Sequence, residues 1–408
     1  MNASSIAMPS PNSNNLVAAV NQSAIWSEAE VTSIANKIMA MPYERASKGA
    51  TNHPWTPYKA RARPRPSFHM ASSINAACQF VRRVLSAEES SPVLLYDRIN
   101  DDPYTWADHQ SPLLPLESER KGLELLKSQA LSQAEDFATA KPLLARLKLT
   151  PVYQSCPKEV QALLEAALPL PGVFAFANNP TMVDRDAKRF AWENYMAFLH
   201  KLRDVCKRME LRKTMYDRNV KMPAARFDAL KRLLSSLFDA HSRLLVVRVD
   251  LKYRPKYVGD MDFLTHQKHV QKVCETAQTG KGIFEGCLGY ALRMEDAPDT
   301  GLHCHLVFFF HGGLRSRDLH IAKQICSWWD DSVTLGKGLA WNVNQHWRTL
   351  VESGQRSPDD CVVGMVDRRD EARVLQMVSV MRYLCHPGQD ILYKPSKTSK
   401  TFLVKECS

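Results

Sequence analysis

Two histidines, His303 and His305, stand one residue apart in the stretch GLHCHLVFFF, at the start of a run of large apolar residues. In a strand, residues i and i+2 share a face, so both imidazoles point one way while Cys304, Leu306 and Phe308 point the other. Paired imidazoles are half of a divalent-metal site, and a bound cation needs further ligands. Glu295 is the candidate third. It ends the preceding strand, GYALRMED, and the short turn APDTG returns the chain directly into the histidine strand. Antiparallel pairing of the two strands sets Glu295 close to both histidines, giving a His, His, Glu set with positions open for water or phosphate oxygens. Such mixed nitrogen and oxygen ligation suits Mg²⁺ or Mn²⁺, although zinc would bind it too. The plainer reading leaves both histidines capping a strand end and Glu295 solvated at a turn. The hairpin carboxylate favours the metal.

Other groups are placed to assist. Asp250 lies beside Arg248 on the polar side of the strand RLLVVRVDLKY, where it either joins the metal shell or fixes a histidine tautomer from outside it. A surface ion pair between Arg248 and Asp250 accounts for the same residues. Near the C-terminus, DEARVLQMVSVMRYLCHPGQ has helical spacing that buries Val374, Met377, Val378, Met381 and Leu384 and leaves Tyr383 beside the apolar stripe. A buried ring with a bonded hydroxyl is the ordinary role for such a tyrosine. A phenol can also attack a phosphodiester when a metal neutralises the nonbridging oxygens, and the phosphotyrosine ester retains the bond energy for rejoining. His266, His269 and His311 lack carboxylates around them and read as core or surface histidines.

The elements that must position these groups follow from hydrophobic period. Helical spacing runs from Asp184 to Met215 and from Ala225 to Phe238, and two-residue alternation then takes over at Leu245 to Lys252. A helix over about 260–279, strands over 284–294 and 303–311, a helix from Ser316 to about Val333, short strands near 340–344 and 361–366 and a helix over 370–385 complete the series. Loops too short to join every strand pair by a crossover helix predict an α+β domain with a mainly antiparallel central sheet and flanking helices. The chain thus divides into a largely irregular or disordered segment, 1–70, a helical region, 71–180, a basic helical segment, 181–240, and an α+β domain, 241–408. A helix is expected over Glu119–Ala138, and NHPWTPYKARARPRP, near residues 52–66, reads as a linker or basic arm.

Composition narrows the partners. The 408 residues carry 54 Lys and Arg against 43 Asp and Glu, a formal net charge of +11, which favours a polyanion such as nucleic acid. Residues 184–232 hold 14 basic and 7 acidic residues, most of that excess, next to the histidine strand's domain. No apolar run reaches the roughly 18 residues of a membrane span, and the N-terminus lacks a signal-peptide pattern, so a cytoplasmic protein is expected. Ten cysteines with no CxxC pair speak against a zinc knuckle and for buried thiols.

In order, a strand LLVVRVDL, a hydrophobic-His-x-His strand preceded by a hairpin glutamate, and a later helical tyrosine resemble the HUH endonucleases that start rolling-circle replication. VVRVDLKY, GLHCHLVFFF and VMRYLCHPGQDILYKPSKTSKTF are most similar to inovirus-type initiators and related prophage-encoded proteins. The similarity covers about residues 240–405. It implies metal binding by His303 and His305 with Glu295, and a Tyr383 nucleophile that nicks single-stranded DNA at a replication origin. The products are a 5′-phosphotyrosine link and a 3′-hydroxyl primer. Many relatives carry a lysine three residues after the tyrosine; here that position is His386, whose imidazolium, or Lys394 from the tail, supplies the charge. Arg248, Arg382, Lys394, Lys397 and Lys400 are the expected DNA contacts. Lacking a helicase motif, the chain would depend on a host helicase and polymerase. Histidine-triad hydrolases would need a third histidine where Val307 stands, and cupins are all-β. The alternative of a different class is a non-cleaving DNA-binding protein that retains the nuclease fold.

Overall fold

The computed structural model describes residues 34, 36–41, 70–86, 156–169, 183–184, 189–297, 300–386, 391 and 399–407. The helix expected at 119–138, the basic stretch at 52–66, and Lys394 and Lys397 lie outside them.

The fold is α+β, with a six-stranded antiparallel sheet flanked by helices. It is preceded by a helical layer of α1 (Met70–Ser86), α2 (Lys158–Ala167), α3 (Ala191–Arg208) and α4 (Leu211–Tyr216). These helices bury a core of their own around Phe80, Leu163, Phe198 and Leu202, with the Phe80 and Phe198 rings stacked 6.4 Å apart. Glu159 is fully buried among them and is neutralised by Arg218 and Arg82. The helical pattern expected from Asp184 begins only at Ala191, because Val183–Asp184 (β1) and Arg189–Phe190 (β2) form a two-stranded ladder first. A π-helical turn, Asp217–Lys221, then leads into α5 (Met222–Ala240).

The sheet is built from β3 (Arg243–Tyr253), β4 (Cys287–Ala297), β5 (Gly301–His311), β6 (Gly338–Asn342), β7 (Gly364–Asp367) and β8 (Phe402–Glu406), in the order β6-β3-β5-β4-β8. β7 pairs with the first residues of β3 and β6 with its last. Between the two pairings Asn344 completes the β3 edge: its side chain accepts from Arg248 N at 2.9 Å and donates to Val246 O at 2.9 Å. Asn344 belongs to α8 (Val343–Glu352), so this helix is pinned to the strand that carries Arg248 and Asp250.

Both faces of the sheet are covered, which is why the long strands are apolar at nearly every position. Leu245, Val247, Val249, Leu306 and Phe308 face α6 (Phe263–Gln278) and α7 (Asp318–Trp328). Leu244, Val246, Ala291, Val307 and Phe309 face α5, α8 and α9 (Glu371–Met381). On this second face the apolar rows give way at one end to Arg248, Asp250, Arg293, Glu295, His303 and His305, all buried. The polar cluster is therefore continuous with a packed core.

Several sequence expectations shift in detail. β4 starts at Cys287 rather than at residue 284, because Gly282 and Gly286 adopt φ values of 60° and 74° that only glycine takes readily. The helix expected to run from 316 to 333 ends at Trp328 in a π turn, and the last helix tightens at Met381 into a 3₁₀ turn over Arg382–Cys385. The segment 1–70, expected to be largely irregular, includes a helical stretch at 36–40 that docks on the core. Ile34 and Ile38 are buried against α5, and Lys231 donates to the carbonyls of Met39 and Met41 at 2.9 and 3.0 Å. The tail, expected to be flexible or to touch DNA, forms β8, since Phe402, Leu403 and Val404 find a free edge of β4.

That edge is tight at Gly289, where a Cβ would lie 2.9 Å from Lys405 O and 3.2 Å from Leu233 Cδ1. Gly289→Val is expected to cost about 1–3 kcal/mol by forcing β8 away from β4. The check is a lower urea midpoint with faster amide exchange in residues 402–406.

Candidate metal centre

The register of the β4–β5 hairpin puts Glu295 directly opposite His303 and Arg293 opposite His305, and β3 places Asp250 opposite His305 from the other side. Directly paired residues of antiparallel strands present their side chains on one face. Three strands thus deliver Asp250, His305, Arg293, His303 and Glu295 to a single patch. The strand carrying Glu295 runs past its expected end at residue 294 to Ala297, which places the carboxylate inside the sheet rather than at its end.

Each imidazole is oriented from behind. His303 Nδ1 donates to Gly301 O at 2.8 Å, and His305 Nδ1 donates to Asp250 Oδ1 at 2.8 Å. These bonds fix the tautomers and turn both Nε2 lone pairs outward, the arrangement found at protein metal sites. His303 Nε2 lies 3.6 Å and His305 Nε2 3.4 Å from Glu295 Oε2. One ligand atom from each of the three residues lies within 4.8 Å of the other two. A cation about 2.1 Å from each donor fits such a triangle.

Unsatisfied atoms supply an independent test of that fit. Glu295 Oε2 and His305 Nε2 are both buried and make no hydrogen bond. Two lone-pair donors facing each other in a dry site require a cation or a proton between them. Without a metal, a proton serves. Burial alone would lower the His305 pKa, but Asp250 and Glu295 override it and push it up to about 9. Burial would likewise raise both carboxylates; Arg248 and His305 hold Asp250 well below the usual range, and His303, His305 and Arg293 do the same for Glu295. The buried Glu, His, His group can therefore hold a metal ion.

Tyr383 reaches this patch from the 3₁₀ turn after α9. Its ring centroid is 5.7 Å from that of His305, in an edge-on arrangement, and the two histidine rings are 5.0 Å apart. Burial raises the phenol pKa and the charge of Glu295 raises it further, against partial relief from Arg248 and Arg293. The phenol is therefore neutral in the resting protein, and its attack on an electrophile requires removal of its proton.

Not every expected residue keeps its expected role. Arg248 is 1% exposed and bonds Asp250 through Nε and Nη2 at 3.1 and 3.3 Å, so it braces the histidine's partner inside the protein instead of meeting DNA at the surface. The surface Arg248–Asp250 pair considered from sequence is in fact buried, because β3 is an interior strand. His386 closes the 3₁₀ turn, its backbone N–H donating to Tyr383 O at 3.1 Å, and the chain becomes extended from there. Arg382 is half-buried at the head of that turn, and Lys400 is exposed where the chain enters β8. His266 is buried on the opposite sheet face, where its Nδ1 meets Tyr253 Oη at 3.1 Å, and His311 packs edge-on against His241.

Arg293 is the residue that sequence reasoning missed. Its Nε lies 2.8 Å from Glu295 Oε1, and its Nη1 donates to Leu384 O at 2.8 Å. One guanidinium thus braces the candidate metal ligand and anchors the turn bearing Tyr383. The available signal was its position two residues before Glu295, which assigns it to the same strand face. No helix among the described residues is long and apolar enough to cross a membrane. Comparison of the chain with protein-family models, with curated proteins and with solved structures finds no match.

Proposed function

We propose that this chain is a replication-initiation endonuclease of the HUH type, which nicks single-stranded DNA by metal-assisted attack of Tyr383. The observation that carries the reading is the Tyr383 ring lying 5.7 Å from a histidine of the Glu295, His303, His305 group. A site able to hold a metal beside a half-buried phenol suits phosphodiester transfer to that phenol.

In this reading Glu295, His303 and His305 hold Mg²⁺ or Mn²⁺, which when bound offers a Lewis acid to the nonbridging oxygens of the scissile phosphate. The chain's own residues do the rest. Asp250 and Gly301 O keep the imidazole lone pairs aimed at the ion, and Arg248 and Arg293 balance the buried carboxylates. Tyr383 Oη attacks phosphorus as its proton passes to water or a neighbouring base. The bond to the 3′ oxygen breaks, leaving a 3′-hydroxyl on one DNA end and a tyrosyl ester on the 5′ phosphate of the other. The free 3′ end then primes rolling-circle synthesis of a phage, prophage or plasmid, with helicase and polymerase drawn from the host. His386 and the lysines of residues 394–400 contribute positive charge near the strand.

The test is incubation of the full chain with single-stranded DNA from its own replicon and Mn²⁺. The expected product is a nucleotide-linked peptide containing Tyr383, absent in Tyr383→Phe and in EDTA. DNA bound by the wild-type chain with no strand broken under any metal would leave only a non-cleaving DNA-binding role.

A further inference from the structure

The row of paired residues that holds the metal centre does not stop at Asp250. β6 pairs Trp341 directly with Asp250, so one row crosses five strands: Trp341, Asp250, His305, Arg293 and Phe402. All five side chains leave the same face of the sheet. The inner members are buried, yet Trp341 is 40% exposed, an unusual place for an indole on a short strand. Lys252, on the same strand face as Asp250, holds its ammonium 5.6 Å from the indole centroid, and the His346 ring stands edge-on at 5.5 Å.

Resting on the function proposed above, we infer that Trp341 is a stacking platform for a base of the single strand, with Lys252 as the contact to the adjoining phosphate. Two strand spacings separate Trp341 from His305, roughly 10 Å, a distance spanned by one or two nucleotides from a phosphate at the metal. An exposed indole flanked by a cation is the chemistry by which proteins hold unpaired bases irrespective of sequence. A duplex offers no free base face to it, so the platform selects single-stranded over paired DNA. The platform sets which phosphate reaches the metal, because a base fixed at Trp341 fixes the strand's register along the row. Core packing does not explain the residue, since Leu339, two positions earlier on β6, is also exposed and no buried cluster includes Trp341.

The experiment uses the full chain and a labelled oligothymidylate of about 20 nucleotides, with and without bromodeoxyuridine for photocrosslinking. Crosslinks are expected on the peptide containing Trp341. Trp341→Ala should weaken binding by about 5- to 150-fold with its salt dependence unchanged, and Trp341→Phe should restore most of the loss. Lys252→Ala should instead lower the salt slope by about one. Mn²⁺ binding should stay intact in all three variants. Unchanged affinity in Trp341→Ala, or crosslinks confined to other peptides, overturns the platform and leaves the nickase standing. Failure of the wild-type chain to bind any single strand overturns both.

Discussion

His305→Ala is expected to lose Mn²⁺ binding by at least about 100-fold, with Asp250→Asn falling between it and the wild type at about 10- to 100-fold. The reason lies in how the imidazole is held. Its Nδ1 is occupied by Asp250 at 2.8 Å, and its Nε2 faces Glu295 Oε2 with no other partner. Removing the ring takes away one of three donors and leaves Glu295 and Asp250 to repel across the gap. Asparagine at 250 still accepts the Nδ1 proton but lacks the charge that makes the ring a strong ligand. Isothermal titration with Mn²⁺ checks the order. A wild-type chain that binds no divalent cation, or a His305→Ala chain that binds as tightly, would remove the metal centre from consideration. The metal should also raise the wild-type melting temperature by mass action and leave that of His305→Ala unmoved.

Arg293→Met is expected to produce the second large effect, about 3–5 kcal/mol of lost stability together with a fall of about 100-fold in formation of the tyrosyl adduct. Arg293 is fully buried, and its guanidinium contacts both Glu295 Oε1 and Leu384 O. Methionine fills much of the volume but leaves a buried carboxylate without its cation and an unanchored carbonyl beside Tyr383. Arg293→Lys separates the two effects. A lysine keeps the charge near Glu295 and so should preserve Mn²⁺ affinity, but a single ammonium lacks the planar fork that reaches both partners. Its chain should bind metal normally and form the adduct slowly. Urea unfolding, Mn²⁺ titration and single-turnover adduct formation on the same variants decide the matter, and an Arg293→Lys chain with wild-type adduct rates would show that the Leu384 contact positions nothing.

What the sequence alone determined was local and periodic. The spacing of His303 and His305 assigned both rings to one face, the short APDTG turn obliged the Glu295 strand to pair antiparallel with theirs, and RLLVVRVDLKY read as a strand over the residues that β3 occupies. Each of these depends on contacts a few residues apart or on a hairpin register that one turn fixes.

Only the tertiary structure decided which distant segments close on that hairpin. β3 lies against β5 rather than elsewhere, so Asp250 meets His305. α9 returns over the same face, so Tyr383 arrives beside the rings. The guanidinium of Arg293, anonymous in sequence, joins the two. The C-terminal residues 402–406 look like a solvated tail in isolation and become a strand because β4 offers them an unpaired edge. Burial also reversed the role of Arg248, since a charged side chain on an alternating strand reads as a surface group until helices cover that face. Periodicity reports the direction in which a side chain points. What it meets there is set by packing between elements far apart in the chain, and the chemistry proposed for Tyr383 rests on that packing.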